Sequence, residues 1–223
     1  MESAAITLVN PTREGYDFTG WYLDAALTQP ITSLTLEADT TVYAGWRIRN
    51  PFVDVAEKDY FYDAVLWGVE NGVVKGMDET HFEPETVCTR AQALTFLWRA
   101  NGMPQPKTTT NPFVDVDTSA YYYDAVLWGV ENGIVKGMDE THFEPDTACS
   151  RAHALTFLWR AKGMPQAGGT TFADVPANAY YAQAVAWGVE NGIVKGMDET
   201  HFEPDTLCQR AHAVTFLWRA YAN

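Results

Sequence analysis

Three observations predict a mainly α chain, a pseudo-threefold bundle of three helix-loop-helix repeats behind a small N-terminal β module. First, Pro51-Phe52-Val53-Asp54-Val55, Pro112-Phe113-Val114-Asp115-Val116 and Thr171-Phe172-Ala173-Asp174-Val175 open three copies of one pattern. Second, each copy, about 60 residues long, carries two stretches of helical apolar spacing joined by a turn-rich loop. Third, residues 6 to 46 lack that spacing and read as short aromatic and β-branched strands split by turn residues.

The β module comes first in the chain, with Tyr16-Asp17-Phe18-Thr19-Gly20-Trp21-Tyr22, Leu34-Thr35-Leu36 and Thr41-Val42-Tyr43-Ala44-Gly45-Trp46 as its strands. About 40 residues is near the limit for independent stability without staples. Within the first repeat, one helix is expected from about Tyr60 to Asn71, stopped by Gly72, with Gly133 and Gly192 as the corresponding stops. The second starts at Thr89-Arg90-Ala91-Gln92, a capping box. Ser150 with His153 is a weaker start, and Gln209 with His212 lacks a good N-cap, so the last helix is expected to be the least well started. One such helix pair cannot enclose its own apolar face, so the three copies are expected to close around a shared core. The expected divisions are 1–47, 48–104, 105–166 and 167–223, with the Pro-, Gly- and Thr-bearing linkers after Ala100 and Ala161 outside that core.

Composition narrows the function. Of 223 residues, 47% are hydrophobic, which excludes disorder throughout. Fifteen Lys and Arg against 29 Asp and Glu give a net charge of −14, which opposes nucleic acid and anionic lipid as partners. No apolar run is long enough to insert in a membrane, and the first 30 residues lack a secretory signal. Met1-Glu2-Ser3, set directly before strand-like sequence, reads as a start inside a longer protein. Cys88, Cys149 and Cys208, one per repeat, point to small buried hydrophobes rather than a disulfide framework.

Laid out in this way, the repeats resemble S-layer homology domains. The shared features are the F-x-D-V opening, a first helix ending in Gly-Ile-Val-Lys-Gly, a Phe-x-Pro loop and a T-R-A-E type helix start. The last reads Thr89-Arg90-Ala91-Gln92, Ser150-Arg151-Ala152-His153 and Gln209-Arg210-Ala211-His212, so the usual Glu is absent from all three. Tyr60, Tyr121 and Tyr180 stand where the family often has Trp, and the cysteines where it often has Ile. Residues 11 to 46 resemble the later part of a Listeria–Bacteroides type repeat, whose opening strand is expected to be missing. The resemblance implies an extracellular, wall-bound location. It also implies noncovalent binding of secondary cell-wall polysaccharide, through a pyruvylated or otherwise anionic sugar, in grooves between repeats, with further domains upstream. A structural or protein-interaction scaffold without glycan binding is the alternative, suggested by the missing Glu.

An anionic glycan needs locally placed cations. Arg90, Arg151 and Arg210 lie in the first turn of a helix, where free N–H groups and the dipole favour an anion, and their planar fork suits a carboxylate. The competing reading pairs each Arg with an acidic neighbour such as Glu83 or Asp146. Lys75-Gly76, Lys136-Gly137 and Lys195-Gly196 follow the first helices, and these glycines suit a positive φ or close approach of a ligand. Arg99, Arg160 and Arg219 complement a helix C-terminus, and the repeat tryptophans pack in the core, with one or two able to floor a sugar site. Asp54, Asp115 and Asp174 are expected to bond nearby backbone at the helix entrance. His81, His142 and His201 lack the ligand order of a metal loop, so no metal and no cofactor are expected. The polar residues recur threefold without a singular nucleophile and base, which argues against an enzyme.

Overall fold

The computed structural model describes residues 5–35 and 39–222. It divides into two compact units between Pro51 and Phe52.

In the first unit, β2 (Tyr16–Tyr22) pairs antiparallel with β3 (Pro30–Ile31) on one side and β5 (Tyr43–Ile48) on the other. β1 (Ala5–Ile6) pairs with β4 (Leu34–Thr35), so a short strand stands where the opening one was expected to be missing. Leu36, expected in the middle strand, lies outside the described residues. A bulge between Phe18 and Gly20 lets Phe18 meet both Trp21 and Trp46 edge-on, each at 5.6 Å between ring centroids.

The second unit holds the helices α1 (Tyr62–Glu70), α2 (Arg90–Ala100), α3 (Tyr123–Glu131), α4 (Arg151–Ala161), α5 (Ala182–Glu190) and α6 (Arg210–Tyr221). The even-numbered helices pack against one another, with Ala93, Leu97, Ala154, Leu158, Ala213 and Leu217 at their meeting line. Each odd-numbered helix packs on the second helix of the preceding repeat: α3 on α2, α5 on α4, and α1 on α6, which closes the ring. Gly129 makes one such crossing possible, because a Cβ there would press on Leu94 and Val135.

At the centre, the amide of Cys88 donates to Cys208 O, that of Cys149 to Cys88 O and that of Cys208 to Cys149 O, each at 2.8 Å. The thiols are buried beside this ring, and burial pushes those of Cys88 and Cys149 up to about 12. They are inert small hydrophobes, as free buried cysteines generally are.

Helix starts follow the chemistry of their first residues. Thr89 and Gln92 form the reciprocal box, and Ser150 Oγ accepts from His153 N at 3.2 Å. At α6 the link is a long 3.4 Å contact from Gln209 N to His212 Nδ1. Each of these starts is also held across a repeat boundary, whatever its cap: at α6, Arg210 N donates to Thr86 O and Ala211 N to Pro84 O, both at 2.9 Å. The same exchange starts α2, from Thr147 and Pro145, and α4, from Thr206 and Pro204.

Candidate functional site

The loop between the helices of each repeat is built from its own polar residues. Asp54 accepts from Phe82 N at 2.9 Å and Glu83 N at 2.8 Å, which differs from the expected bond at the helix entrance. It holds Glu83 at a φ of 55, a conformation side chains avoid unless the surroundings impose it. Asp115 and Asp174 repeat the arrangement. Asp78 accepts from the amides of Thr80 and His81, which holds its carboxyl down at about 2. His81 contacts that carboxylate at 3.1 Å, so it braces the turn.

The three motif arginines reach out of their own repeats. Arg90 donates from Nε to Phe143 O at 3.1 Å and from a terminal nitrogen to Lys136 O at 3.0 Å. Arg151 does the same to Phe202 and Lys195, and Arg210 to Phe82 and Lys75. Each guanidinium lies over the ring of the phenylalanine it bonds, at 4.5 to 4.8 Å. All three side chains are buried, which draws their pKa values below the usual arginine range. Their hydrogen bonds go to backbone carbonyls of the next repeat, while Glu144, Glu203 and Glu83 of those loops act on Arg90, Arg151 and Arg210 through charge alone, so the expected acidic neighbour is present without a direct bond. The first two helix amides are taken by loop carbonyls, so the expected anion site on free N–H groups is occupied by protein.

Gly76, Gly137 and Gly196 differ from expectation in their reason for being glycine. None has a positive φ; a Cβ at Gly196 would instead overlap the carbonyls of Asp198 and His201 and the ring of Phe172. The loop folds so tightly on itself, with Met197 N donating to His201 O at 2.8 Å, that no side chain fits. Lys195 sits exposed at its edge.

These elements bring Arg151, Lys195 and Gly196 to one groove of about 170 Å³, with Tyr60, Met197, His212, Thr215, Phe216 and Arg219 as its other walls. Three repeats contribute: Tyr60 from the first, Arg151 from the second, the rest from the third. Tyr60 and His212 face each other as stacked rings at 6.4 Å. His153 and Tyr180 make the corresponding pair at 5.8 Å, whereas the position facing Tyr121 is Gln92, already engaged in its capping box. No carboxylate lines the groove, although the chain carries 29 of them. The flat apolar rings, the cations and the neutral donors would accept an anionic group attached to a ring with an apolar face.

Sequence reasoning identified Arg151, Lys195 and Gly196 but not Tyr60, Met197 or His212. The available signal was the repetition of exposed Tyr and Met: Tyr60, Tyr121 and Tyr180, with Met77, Met138 and Met197.

A closed ring of helix-loop-helix repeats with a groove at a seam defines a helical tandem-repeat module. Residues 51–94, 112–155 and 171–214 match the S-layer homology domain, and the chain belongs to that family. Residues 2–45 match the Listeria-Bacteroides repeat domain. The surface-layer 125 kDa protein of Lysinibacillus sphaericus is 31% identical over 163 residues, which is 70% of this chain and 14% of that protein. The S-layer protein sap of Bacillus anthracis is 29% identical over 175 residues, 74% of this chain and 20% of the relative. An amylopullulanase of Thermoanaerobacterium thermosulfurigenes is 25% identical over 224 residues, 96% of this chain but 12% of that enzyme. The chain thus spans a small part of the length of these relatives. It is a cell-surface or cell-wall anchoring module, and no helix among the described residues is long and apolar enough to cross a membrane.

Proposed function

We propose that this module anchors a larger surface protein by noncovalent binding of secondary cell-wall polysaccharide, through an anionic sugar held in the grooves between repeats. One observation carries the reading: in a chain of charge −14, Arg151, Lys195 and Arg219 line one groove with no carboxylate among the lining residues. Local cations in an acidic molecule select an anion while repelling general polyanion contact. In this reading the exposed Lys195 makes the direct charge contact, and Arg151, held against the Lys195 carbonyl, fixes the loop that presents it and supplies positive potential beneath. The exposed Tyr60 ring takes the apolar face of the sugar, with the buried Phe216 as packing behind it. The pyruvyl ketal is the anion favoured, because a carboxylate on a hexose combines the two chemistries. The module itself does no covalent chemistry, consistent with polar residues that recur threefold rather than forming a singular catalytic set.

The test is the affinity of Lys195→Gln for purified wall polysaccharide. Removing a charge-assisted contact is expected to weaken binding about tenfold in low salt, and less as salt screens the wild type. Unchanged affinity across salt would contradict the groove assignment.

A further inference from the structure

Arg219 also lines a second cleft, of about 360 Å³, together with Lys162, Pro165, Trp187, Asn191, Ile193 and Ala220. The two share Arg219, whose NH1 donates to Ile193 O at 3.1 Å, and the segment from Ile193 to Met197 runs from one to the other. As in the groove, no acidic residue lines it. The cleft by itself falls within the roughly 300–1,000 Å³ usual for a small-molecule site, whereas the groove is smaller.

Lys162 gives the cleft its character. It is the C-cap residue of α4 and an exposed residue overall. A cation at a helix C-terminus is favoured by the dipole alone. Its ammonium, however, is placed 3.5 Å from the centre of the Tyr221 ring rather than on the last carbonyls, and it forms no ion pair among the described residues. Partial loss of water at that spot lowers its pKa. Tyr221 is fixed in turn, since its hydroxyl accepts from Asn101 Nδ2 at 2.8 Å. Asn101 is the C-cap of α2, the position equivalent to Lys162 one repeat earlier. The added cation therefore belongs to the third-repeat side alone.

Building on the anchoring reading of the groove, we propose that the Lys162 cleft is a second anion-binding subsite, which takes a further acidic substituent along the same polysaccharide chain. Arg219 stands between the two subsites and faces both. Trp187, buried, closes the floor, and Asn191, whose Nδ2 donates to Trp187 O at 2.8 Å, forms its rim. The module then reads a stretch of acidic polymer on this side rather than a terminal sugar only.

Lys162→Asn, which copies the residue native at the equivalent cap, separates this from a structural effect. Titration calorimetry of the full chain would compare two probes: acid-released wall polysaccharide fragments of several sugars, and a methyl hexoside carrying one pyruvate ketal. The proposal expects roughly tenfold weaker binding of the longer fragments, the value of one charge-assisted contact, with the monosaccharide unaffected. Equal affinity of wild type and variant for the longer fragments would overturn the subsite. Equal weakening of both probes would also overturn it, by placing Lys162 in the groove's own machinery. If wild type binds neither probe, the anchoring reading itself fails, a result distinct from either.

Discussion

His153 and His212, each stacked on a tyrosine, are two histidines whose protonation the fold resists. Both are held below the ordinary histidine pKa, first by burial and then by a neighbouring arginine, Arg90 for His153 and Arg151 for His212. Arg160 adds to this at His153, Asp205 opposes it, and Tyr180 and Tyr60 stack on the two rings. The folded protein therefore binds these protons less readily than the unfolded chain, whose histidines titrate near about 6.5. Stability is complete above that pH and declines as pH falls through it toward the lowered folded values. Replacing both by Gln, the residue native at position 92, is expected to flatten the dependence of melting temperature on pH between about 7 and 5. A slope identical to wild type would contradict this account of the two environments.

At the scale of elements, the inter-helix loop is the part that the rest depends on. Its Phe143 carbonyl receives Arg90, its Pro145 and Thr147 carbonyls start α2, and Asp115 holds its backbone in place. Asp115→Ala leaves the Phe143 and Glu144 amides without that acceptor, Glu144 being held at a φ of 57. The expected cost is about 2–3 kcal/mol, the value of hydrogen bonds to a charged group, measured by denaturant unfolding. A loss below about 0.5 kcal/mol, as for an ordinary surface change, would mean that the loop is held by other contacts. The helices, their glycine stops and the capping box of α2 were legible in the sequence, because spacing and capping chemistry are local. The Asp115 bonds were not, since they join residues 28 and 29 positions apart. Gly196 was legible as a required glycine but not for its reason, because φ and crowding leave the same letter in a sequence.

For the whole molecule, ring closure decides what the site is. Repetition and the inability of one helix pair to bury its face predicted a shared core, and that is how the three repeats pack. What linear reading could not supply is the exchange across each seam: Arg151 reaches the third repeat's loop, and Tyr60 of the first repeat faces His212 of the third. The buried arginines consequently form the scaffold beneath the groove, and in the proposed reading the exposed lysine and tyrosine are its contacts. The most direct test of the anchoring account is cosedimentation of the protein with purified wall sacculi from its own source, before and after chemical removal of the nonpeptidoglycan polysaccharide. The account predicts that the protein pellets with intact sacculi and stays in solution once the polymer is gone. Equal pelleting with both preparations, or with neither, would contradict polysaccharide binding and leave the ring of repeats as a scaffold.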